Sequence, residues 1–385
     1  MTVPGFTSTG SKRPEAFFGS SVGPDLPTRM TGSRGARIRD ENGREYLDFV
    51  MALGAVTLGY GHPEVAAAAA EALDRGGVGS LAPVEEERLA TRLRELLPWC
   101  ERIRFLKTGA EAVAAAVRLA RAHTGRDRVL GCGYHGWLDL SSREPGVPAA
   151  IGDLYRTVPF NDAERTQRTI REVGDGLAVV VVEPVVERAP TLEWLTVLRD
   201  EAHRVGALLV FDEIKTGFRL GVGGAVERWG VVPDLAVYGK GLANGFPLAA
   251  VGGRADIMEQ ATRTWISSTL ATEFVALAAA RAAVDVVVRD GFPEHARRVG
   301  QELFSGLAAQ AARYPDLVTE AIGIPEMCAL RFRDDAGGGA VAAAMARRGV
   351  LFKRTAYNFV SLAHGDAEVA EGLAALGEAL AEVRR

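Results

Sequence analysis

The sequence has few of the features that mark secreted, membrane or metal-binding proteins. Its 385 residues include three cysteines, Cys100, Cys132 and Cys328, which are far apart and form no C-x-x-C motif. This pattern favours a reducing compartment, and we expect a cytoplasmic protein. No apolar run approaches the roughly 20 residues that span a bilayer, and residues 1–14 lack the apolar core of a secretory signal. We therefore expect no membrane association.

Neither sign of charge dominates, and histidine is scarce. Lys and Arg together number 45 and Asp and Glu 49, which gives a formal net charge of −4. Without a basic excess, a nucleic-acid partner is disfavoured. The six histidines show no metal-ligand spacing, so we expect no metal site. With 48% hydrophobic and 24% charged residues, the composition is that of a globular protein.

Apolar segments alternate with helical patterns, and each apolar segment ends in polar or glycine residues. Residues 177–182 are apolar without alternation, as expected for a strand buried on both faces of a parallel sheet. Such a pattern predicts an α/β fold, in which ligands bind beyond the carboxyl ends of the strands. Four predicted strands are followed by Thr108-Gly109, Glu183, Asp212 and Lys240.

The pattern also predicts how the chain is organised. Residues 1–35 are rich in Gly, Ser and Pro, and we predict no regular structure there; Asn42-Gly43 between two alternating runs predicts a β-hairpin. We expect an N-terminal arm and hairpin segment over residues 1–50 and a large domain over 51–285. Residues 286–385 are predicted to form a smaller α+β domain.

Two glycine-containing turns raise the question of a phosphate site. Gly131–Gly136 matches G-x-G-x-x-G, but the residues that follow, up to Pro145-Gly146, have no helical period, so a dinucleotide fold is disfavoured. Thr108-Gly109 opens a predicted helix, whose N-terminus favours an anion; a plain turn is the alternative. Because no Walker-type Lys-Ser/Thr pair follows, a nucleoside triphosphate is disfavoured.

Lys240 and Asp212 suggest cofactor chemistry. Lys240 lies between Gly239 and Gly241, where a flat ligand can approach closely and a desolvated lysine can form a Schiff base. Asp212 ends an apolar strand, where a carboxylate is costly unless it faces a cation such as a protonated pyridine nitrogen. An ordinary surface lysine and a helix-capping aspartate are the alternatives.

Over about residues 35–375 the sequence resembles the class III (omega-type) aminotransferases of pyridoxal-phosphate fold type I, and within them glutamate-1-semialdehyde 2,1-aminomutase. The motifs that carry this resemblance are Phe211–Arg219, Pro233–Lys240, Gly252–Met258 and Gly59–Val65. The resemblance implies a mainly parallel, seven-stranded type of sheet in the large domain and a smaller α+β C-terminal domain. It also implies pyridoxal 5′-phosphate as cofactor and a homodimer as the active unit.

The resemblance also implies roles for individual residues. Lys240 would form the Schiff base and act as the catalytic base, and Asp212 would keep the pyridine nitrogen protonated. The other implied cofactor contacts are ring packing by Ile214 and Tyr134, amide donors to the phosphate from Gly109 and Ala110, and a phosphate contact from Thr269 to the cofactor of the partner subunit. Separately, Glu183 follows a buried strand, and we expect it to form a hydrogen bond near the cofactor or substrate.

Some features depart from the aminomutase. The family motif Ser-Gly-Thr-Glu-Ala reads Thr108-Gly-Ala-Glu-Ala here, which removes one hydroxyl contact to the phosphate. No arginine near Phe17-Phe18 matches the one that grips the aminomutase substrate. The mobile loop that follows the Tyr-His motif is abbreviated between Trp137 and Tyr155. The missing arginine and the abbreviated loop argue against the aminomutase itself.

Candidate substrate residues are less well marked. Arg188 or Arg354 is predicted to bind an acidic group on a substrate, although a solvated arginine is the alternative for each. His135 follows the predicted stacking Tyr134 and is interpreted as a supporting residue near the substrate, because Lys240 already serves as base.

We therefore predict an aminotransferase that moves an amino group between an amine donor and a ketone or aldehyde acceptor by a ping-pong mechanism. We place it in specialised small-molecule biosynthesis. The alternatives are an intramolecular aminomutase and a non-catalytic relative of the same fold. Retention of both Lys240 and Asp212 argues against the last of these.

Overall fold

The computed structural model describes residues 2–385 and divides them into two compact units, one formed by Pro63–Asp290 and the other by the residues up to His62 together with Gly291–Arg385. The strands are β1 (Met30–Arg34), β2 (Arg37–Asp40), β3 (Glu45–Asp48), β4 (Arg102–Leu106), β5 (Arg128–Cys132), β6 (Tyr155–Thr157), β7 (Leu177–Val182), β8 (Leu208–Asp212), β9 (Leu235–Tyr238), β10 (Ala249–Gly253), β11 (Val318–Ile324), β12 (Met327–Phe332), β13 (Val350–Leu351) and β14 (Asn358–Phe359).

The helices are α1 (Pro14–Phe18), α2 (Met51–Gly54), α3 (Pro63–Asp74), α4 (Val84–Leu96), α5 (Gly109–Thr124), α6 (Ala149–Gly152), α7 (Ala163–Val173), α8 (Leu192–Arg204), α9 (Gly224–Trp229), α10 (Ala255–Met258), α11 (Phe274–Arg289), α12 (Phe292–Arg313), α13 (Asp335–Arg347) and α14 (Asp366–Val383). Of these, α2 is a single turn whose φ angles are left-handed at Met51, Ala52 and Leu53. Among residues 2–385 no helix has both the length and the apolar character required to cross a membrane.

The unit formed by Pro63–Asp290 is built on a seven-stranded sheet with the strand order β4-β10-β9-β8-β7-β5-β6. Strand β10 is antiparallel to both of its neighbours, and the remaining pairs are parallel. This arrangement confirms the prediction of a mainly parallel seven-stranded sheet. Strand β7 is buried along its whole length, as its uninterrupted apolar sequence predicts.

The strand order brings the polar strand ends together. Because β7, β8 and β9 are adjacent and parallel, Glu183, Asp212 and Lys240 follow them at the same edge of the sheet. Strand β5 lies on the other side of β7, so the turn that contains Tyr134 and His135 opens at that edge as well. The carboxyl edge therefore collects most of the residues that the sequence singles out.

Helix α5 begins where the sequence predicts an anion-binding turn. Thr108 caps it by accepting the amide of Glu111, and the Glu111 side chain accepts the amide of Thr108 in return, which forms a capping box. Gly125 ends the helix with a left-handed φ of 68°. The apolar face of α5 packs into the core beneath the sheet, which fixes the position of its first turn.

The second unit joins the two ends of the chain in one sheet. Strands β1, β2 and β3 pair antiparallel, and β13 adds to β3 in parallel as the fourth strand. The predicted hairpin at Asn42-Gly43 is confirmed, since Asp40 Oδ1 accepts the amides of Asn42 and Arg44, and Gly43 has a φ of 82°. Strands β11, β12 and β14 form a separate antiparallel sheet in this unit.

The prediction of no regular structure in residues 1–35 is wrong, because α1 and β1 lie there. Lys353 explains why α1 is ordered. Its Nζ donates to the carbonyls of Ser11 and Ala16 at 2.8 and 2.9 Å and lies 4.1 Å from the centre of the Phe17 ring. These partners are more than 330 residues apart in sequence, so no local pattern could indicate them. Burial, with the nearby Arg354, lowers the pKa of Lys353 to about 8.

Helix α14 contains two interior glycines in different surroundings. A Cβ on Gly372 would lie 2.4 Å from Cε2 of Phe49, a fully buried ring of the same unit. A Cβ on Gly377 would meet only the end of the flexible Gln310 side chain, at 3.0 Å. Substitution at Gly377 therefore tests mainly helix propensity, whereas substitution at Gly372 tests packing against Phe49.

We expect Gly377→Ala to raise the thermal midpoint by about 1–2 °C, because alanine favours the helix by about 1 kcal/mol. We expect Gly372→Ala to lower it, because overpacking costs about 1–3 kcal/mol. Circular dichroism melts of the two variants beside wild type measure both shifts. A stabilised Gly372→Ala protein would show that Phe49 has room to move.

Candidate active site

Asp212 is a buried carboxylate with both oxygens engaged. Its side chain is 3% exposed, Oδ2 lies 2.9 Å from Nδ1 of His135, and Oδ1 accepts the amide of Ile214 at 3.2 Å. His135 is equally buried, and its Nε2 has no hydrogen-bond partner among residues 2–385. His135 thus contacts the Asp212 carboxylate directly and orients it.

Lys240 opens a 3-10 turn, Lys240–Ala243, directly after β9. Its φ of 43° is left-handed, a conformation that is strained for a residue with a side chain and that is common at functional sites. Burial, followed by the charge of the nearby Lys215 ammonium, lowers the pKa of Lys240 to about 8. A substantial fraction of this amine is therefore neutral near physiological pH, as a nucleophile or general base requires.

The first turn of α5 offers backbone donors to an anion. The capping box uses the amides of Thr108 and Glu111, while those of Gly109 and Ala110 head the helix, where the macrodipole favours negative charge. A Cβ on Gly109 would lie 2.5 Å from Cδ1 of Ile214, so a side chain here would have to displace the end of Ile214. Ile214 also lies next to Gly239, which precedes Lys240. Ile214 therefore connects the anion-binding turn to the lysine turn.

The G-x-G-x-x-G match has a packing explanation. A Cβ on Gly131 would collide with the hydroxyl of Tyr155, one on Gly133 would lie 2.7 Å from Cγ of Glu183, and one on Gly136 would lie 2.5 Å from Cβ of Ala110. The segment that follows forms only a 3-10 turn, Asp139–Ser141, and not a long helix. These glycines let the turn after β5 approach its neighbours, in agreement with the rejection of a dinucleotide fold.

Glu183 contacts two parts of the site. Its Oε1 accepts the amide of Tyr134 at 2.6 Å, and its carboxylate forms an ion pair with Lys215. Sequence reasoning missed Lys215, although a cation three residues after Asp212, in the turn after an apolar strand, was a usable signal. Over residues 2–385, no group of three or more His, Cys, Asp or Glu side chains is arranged to hold a metal ion.

The remaining predicted residues are more dispersed. The Tyr134 side chain is 72% exposed, and Thr269 is exposed at the start of a 3-10 turn. Arg188 is exposed and follows Glu187, whose φ is 58°. Arg354 belongs to the other unit and is buried there, where it pairs with Asp335 and donates to the carbonyl of Glu15. The cofactor and substrate roles of these residues stay predictions.

Comparison with known proteins defines the family. The family described as aminotransferase class-III matches residues 20–380, which is nearly the whole chain. Glutamate-1-semialdehyde 2,1-aminomutase of Neisseria gonorrhoeae (strain NCCP11945) is 36% identical, with 82% of this chain and 78% of that protein covered. The protein of the same name from Thermomicrobium roseum is 34% identical, with 95% and 93% covered. The chain therefore belongs to the class III aminotransferases, a family of pyridoxal-phosphate-dependent enzymes.

Solved structures agree with this assignment. The FumI protein of Sphingopyxis sp. MTA144, in its PLP internal aldimine form, superposes with a TM-score of 0.93 at 28% identity and covers 100% of this chain and 94% of its own. An omega-transaminase from Sphaerobacter thermophilus superposes with a TM-score of 0.88 at 27% identity, covering 100% and 95%. The predictions of family, fold type, enzyme class and cofactor are thereby confirmed.

The site has the chemical groups that pyridoxal 5′-phosphate requires. Lys240 supplies an amine of lowered pKa, Asp212 supplies a buried negative charge, and the first turn of α5 supplies donors for a phosphate. The glycines at positions 109 and 239 let both turns lie against the Ile214 side chain.

We expect Gly109→Ala to weaken pyridoxal-phosphate binding about tenfold or more, because the new methyl group displaces Ile214 and the first turn of α5. Adding Ile214→Val, which removes the clashing Cδ1 atom, should restore part of the affinity. Absorbance or fluorescence titration of the apoprotein gives the dissociation constants. Equal affinity of wild type and Gly109→Ala would contradict this account of the glycine.

Proposed function

We propose that this protein is an aminotransferase that moves an amino group from an amine donor to a ketone or aldehyde acceptor in two half-reactions. One observation carries the proposal. Lys240, a lysine of lowered pKa, and Asp212, a buried and oriented carboxylate, follow neighbouring strands at the same edge of the sheet. Because both Asp212 oxygens already have partners, this carboxylate is positioned independently of the lysine.

Each residue then has a task in the reaction. Bound pyridoxal phosphate would supply the electron-withdrawing ring that acidifies the Cα proton of the amine substrate. Lys240 accepts that proton at Nζ and returns it to the substrate or cofactor. Asp212 stabilises positive charge on the ring nitrogen, His135 holds Asp212 in place, and Gly109 and Ala110 bind the phosphate.

An intramolecular aminomutase is the second candidate, since curated relatives at 34–36% identity carry that name. The segment between Trp137 and Tyr155 favours transamination. It contains only a 3-10 turn and the single turn α6, and Arg143 fastens it by donating to the carbonyls of Gly152 and Tyr155, each at 3.0 Å. A short segment held by these hydrogen bonds supports transamination, in which one product leaves the site before a second substrate enters.

The proposal also covers the oligomeric state, the cellular compartment and the kind of pathway. Trp265 is 87% exposed and Leu270 56% exposed on either side of Thr269, and such apolar exposure supports a homodimer in which Thr269 reaches the partner's cofactor. The three cysteines are buried and free of disulfides, which suits the cytoplasm. We place the reaction in specialised small-molecule biosynthesis, with a carbonyl acceptor different from the aminomutase substrate.

The two candidate functions differ in the source of the amino nitrogen. We expect turnover only when a donor, first L-glutamate and then other amines, is added to a carbonyl acceptor, and we expect ¹⁵N from the donor in the aminated product. Mass spectrometry of the product measures the transfer, with Lys240→Ala as the inactive control. Conversion of glutamate 1-semialdehyde alone, without any donor, would establish the aminomutase instead.

The substrate arginine can be tested by a matched pair of variants. We expect Arg188→Ala to raise KM for an acidic donor at least about tenfold, since a charge-assisted hydrogen bond contributes about 1.5–3 kcal/mol, and to leave KM for a neutral amine unchanged. We expect Arg354→Ala to lower the thermal midpoint instead, because Asp335 and the Glu15 carbonyl lose their partner. An unchanged KM for every acidic donor in Arg188→Ala would remove Arg188 from the substrate site.

A further inference from the structure

Lys215 is a second lysine at the carboxyl edge of the large sheet. The chain contains only five lysines among its 45 basic residues, and two of them, Lys215 and Lys240, lie at this edge. The Lys215 side chain is 18% exposed, and its ammonium pairs with Glu183, whose side chain is 6% exposed. The ammonium of Lys215 thus acts on Lys240, the amine that must become neutral in the proposed reaction.

Glu183 is also held by the turn after β5. Its Oε1 accepts the amide of Tyr134, and the absence of a side chain at Gly133 lets the turn after β5 close over it. A carboxylate beside a lysine favours the charged form of that lysine. If Lys215 were absent, the unpaired Glu183 would be a counter-ion for Lys240.

Four charged groups from neighbouring elements act on Lys240. Asp212 at the end of β8 and Glu183 at the end of β7 favour its protonation, whereas Lys215 and Arg219, in the turn after β8, oppose it. Asp212 is engaged by His135 and by the Ile214 amide. Burial does most to lower the pKa of Lys240, and of the two cations Lys215 has the larger effect.

We propose that Lys215 is a positioning residue that takes Glu183 as its own counter-ion and thereby favours the neutral form of Lys240, which accepts a proton. The proposal rests on the amine-transfer function proposed above and adds a residue to it. It assigns Glu183 an electrostatic task besides any contact with the cofactor. It also predicts that the charge at position 215 matters more than the shape of the side chain.

The test is the pH titration of the visible absorption band of the holoenzyme, which reports protonation at the Lys240 nitrogen. We expect Lys215→Met to raise the pH midpoint by about one unit or more, the size of effect that a nearby charge commonly has. The acidic limb of the kcat/KM profile should move by the same amount. Lys215→Arg, which keeps the charge, should titrate like wild type.

A double-mutant cycle isolates the Glu183 part of the proposal. Glu183→Gln keeps an acceptor for the Tyr134 amide but removes the charge, so its midpoint should fall or stay level. The double variant Lys215→Met, Glu183→Gln should titrate below Lys215→Met alone. Lys107→Met is the matched control, because Lys107 is also a partly buried lysine, paired with Glu273, and is not among the main charges acting on Lys240.

A second readout separates this proposal from the proposed function. In the apoprotein, the pH dependence of Lys240 modification by an amine-reactive reagent, followed by peptide mass spectrometry, requires neither cofactor nor turnover. A Lys240 midpoint that is the same in wild type and Lys215→Met in both readouts overturns the role of Lys215, even if amine transfer is active. A shifted midpoint in a protein that transfers no amine would overturn the function and leave the electrostatic pair in place.

Discussion

The site depends on keeping a negative charge in place at the end of an apolar strand. Asp212 follows β8, whose residues are all buried, and without partners its carboxylate would strongly oppose folding. His135 and the Ile214 amide provide those partners. His135 reaches Asp212 because the turn after β5 lies close to its neighbours, and the glycines at 133 and 136 permit that approach. Stabilising one charge thus constrains two turns that meet at the carboxyl edge.

Much of the larger unit could be predicted because several of its strands are encoded locally. Apolar runs such as Leu177–Val182, ending in a polar residue, define the strands, and the carboxyl-edge rule then brings Asp212 and Lys240 together. The ion pair between Lys215 and Glu183 could not be predicted in this way, because the rule brings strand ends to one edge but does not say which side chains contact each other there. The apolar runs indicate these strands but not the order of the strands in the sheet.

The second unit was harder to predict for a related reason. Its first helix and first strand are short and lie in a segment rich in glycine and serine. They are held by residues far along the chain, above all by Lys353. Arg354, which the sequence suggested for substrate binding, is buried in its own unit with Asp335 and the Glu15 carbonyl. Long-range partners of this kind leave no periodic signal in the sequence. A charged side chain that stabilises the fold therefore cannot be distinguished, from sequence alone, from one that binds a ligand.

The addition of β13 to β3 has a consequence for how the chain matures on the ribosome. Residues 63–290 hold every strand of the seven-stranded sheet, so this unit can fold while synthesis continues. The first 62 residues cannot complete their own sheet until Val350 and Leu351 have emerged, and α1 must wait for Lys353 as well. The part of the second unit that precedes residue 63 is therefore synthesised before the larger unit but completed after it.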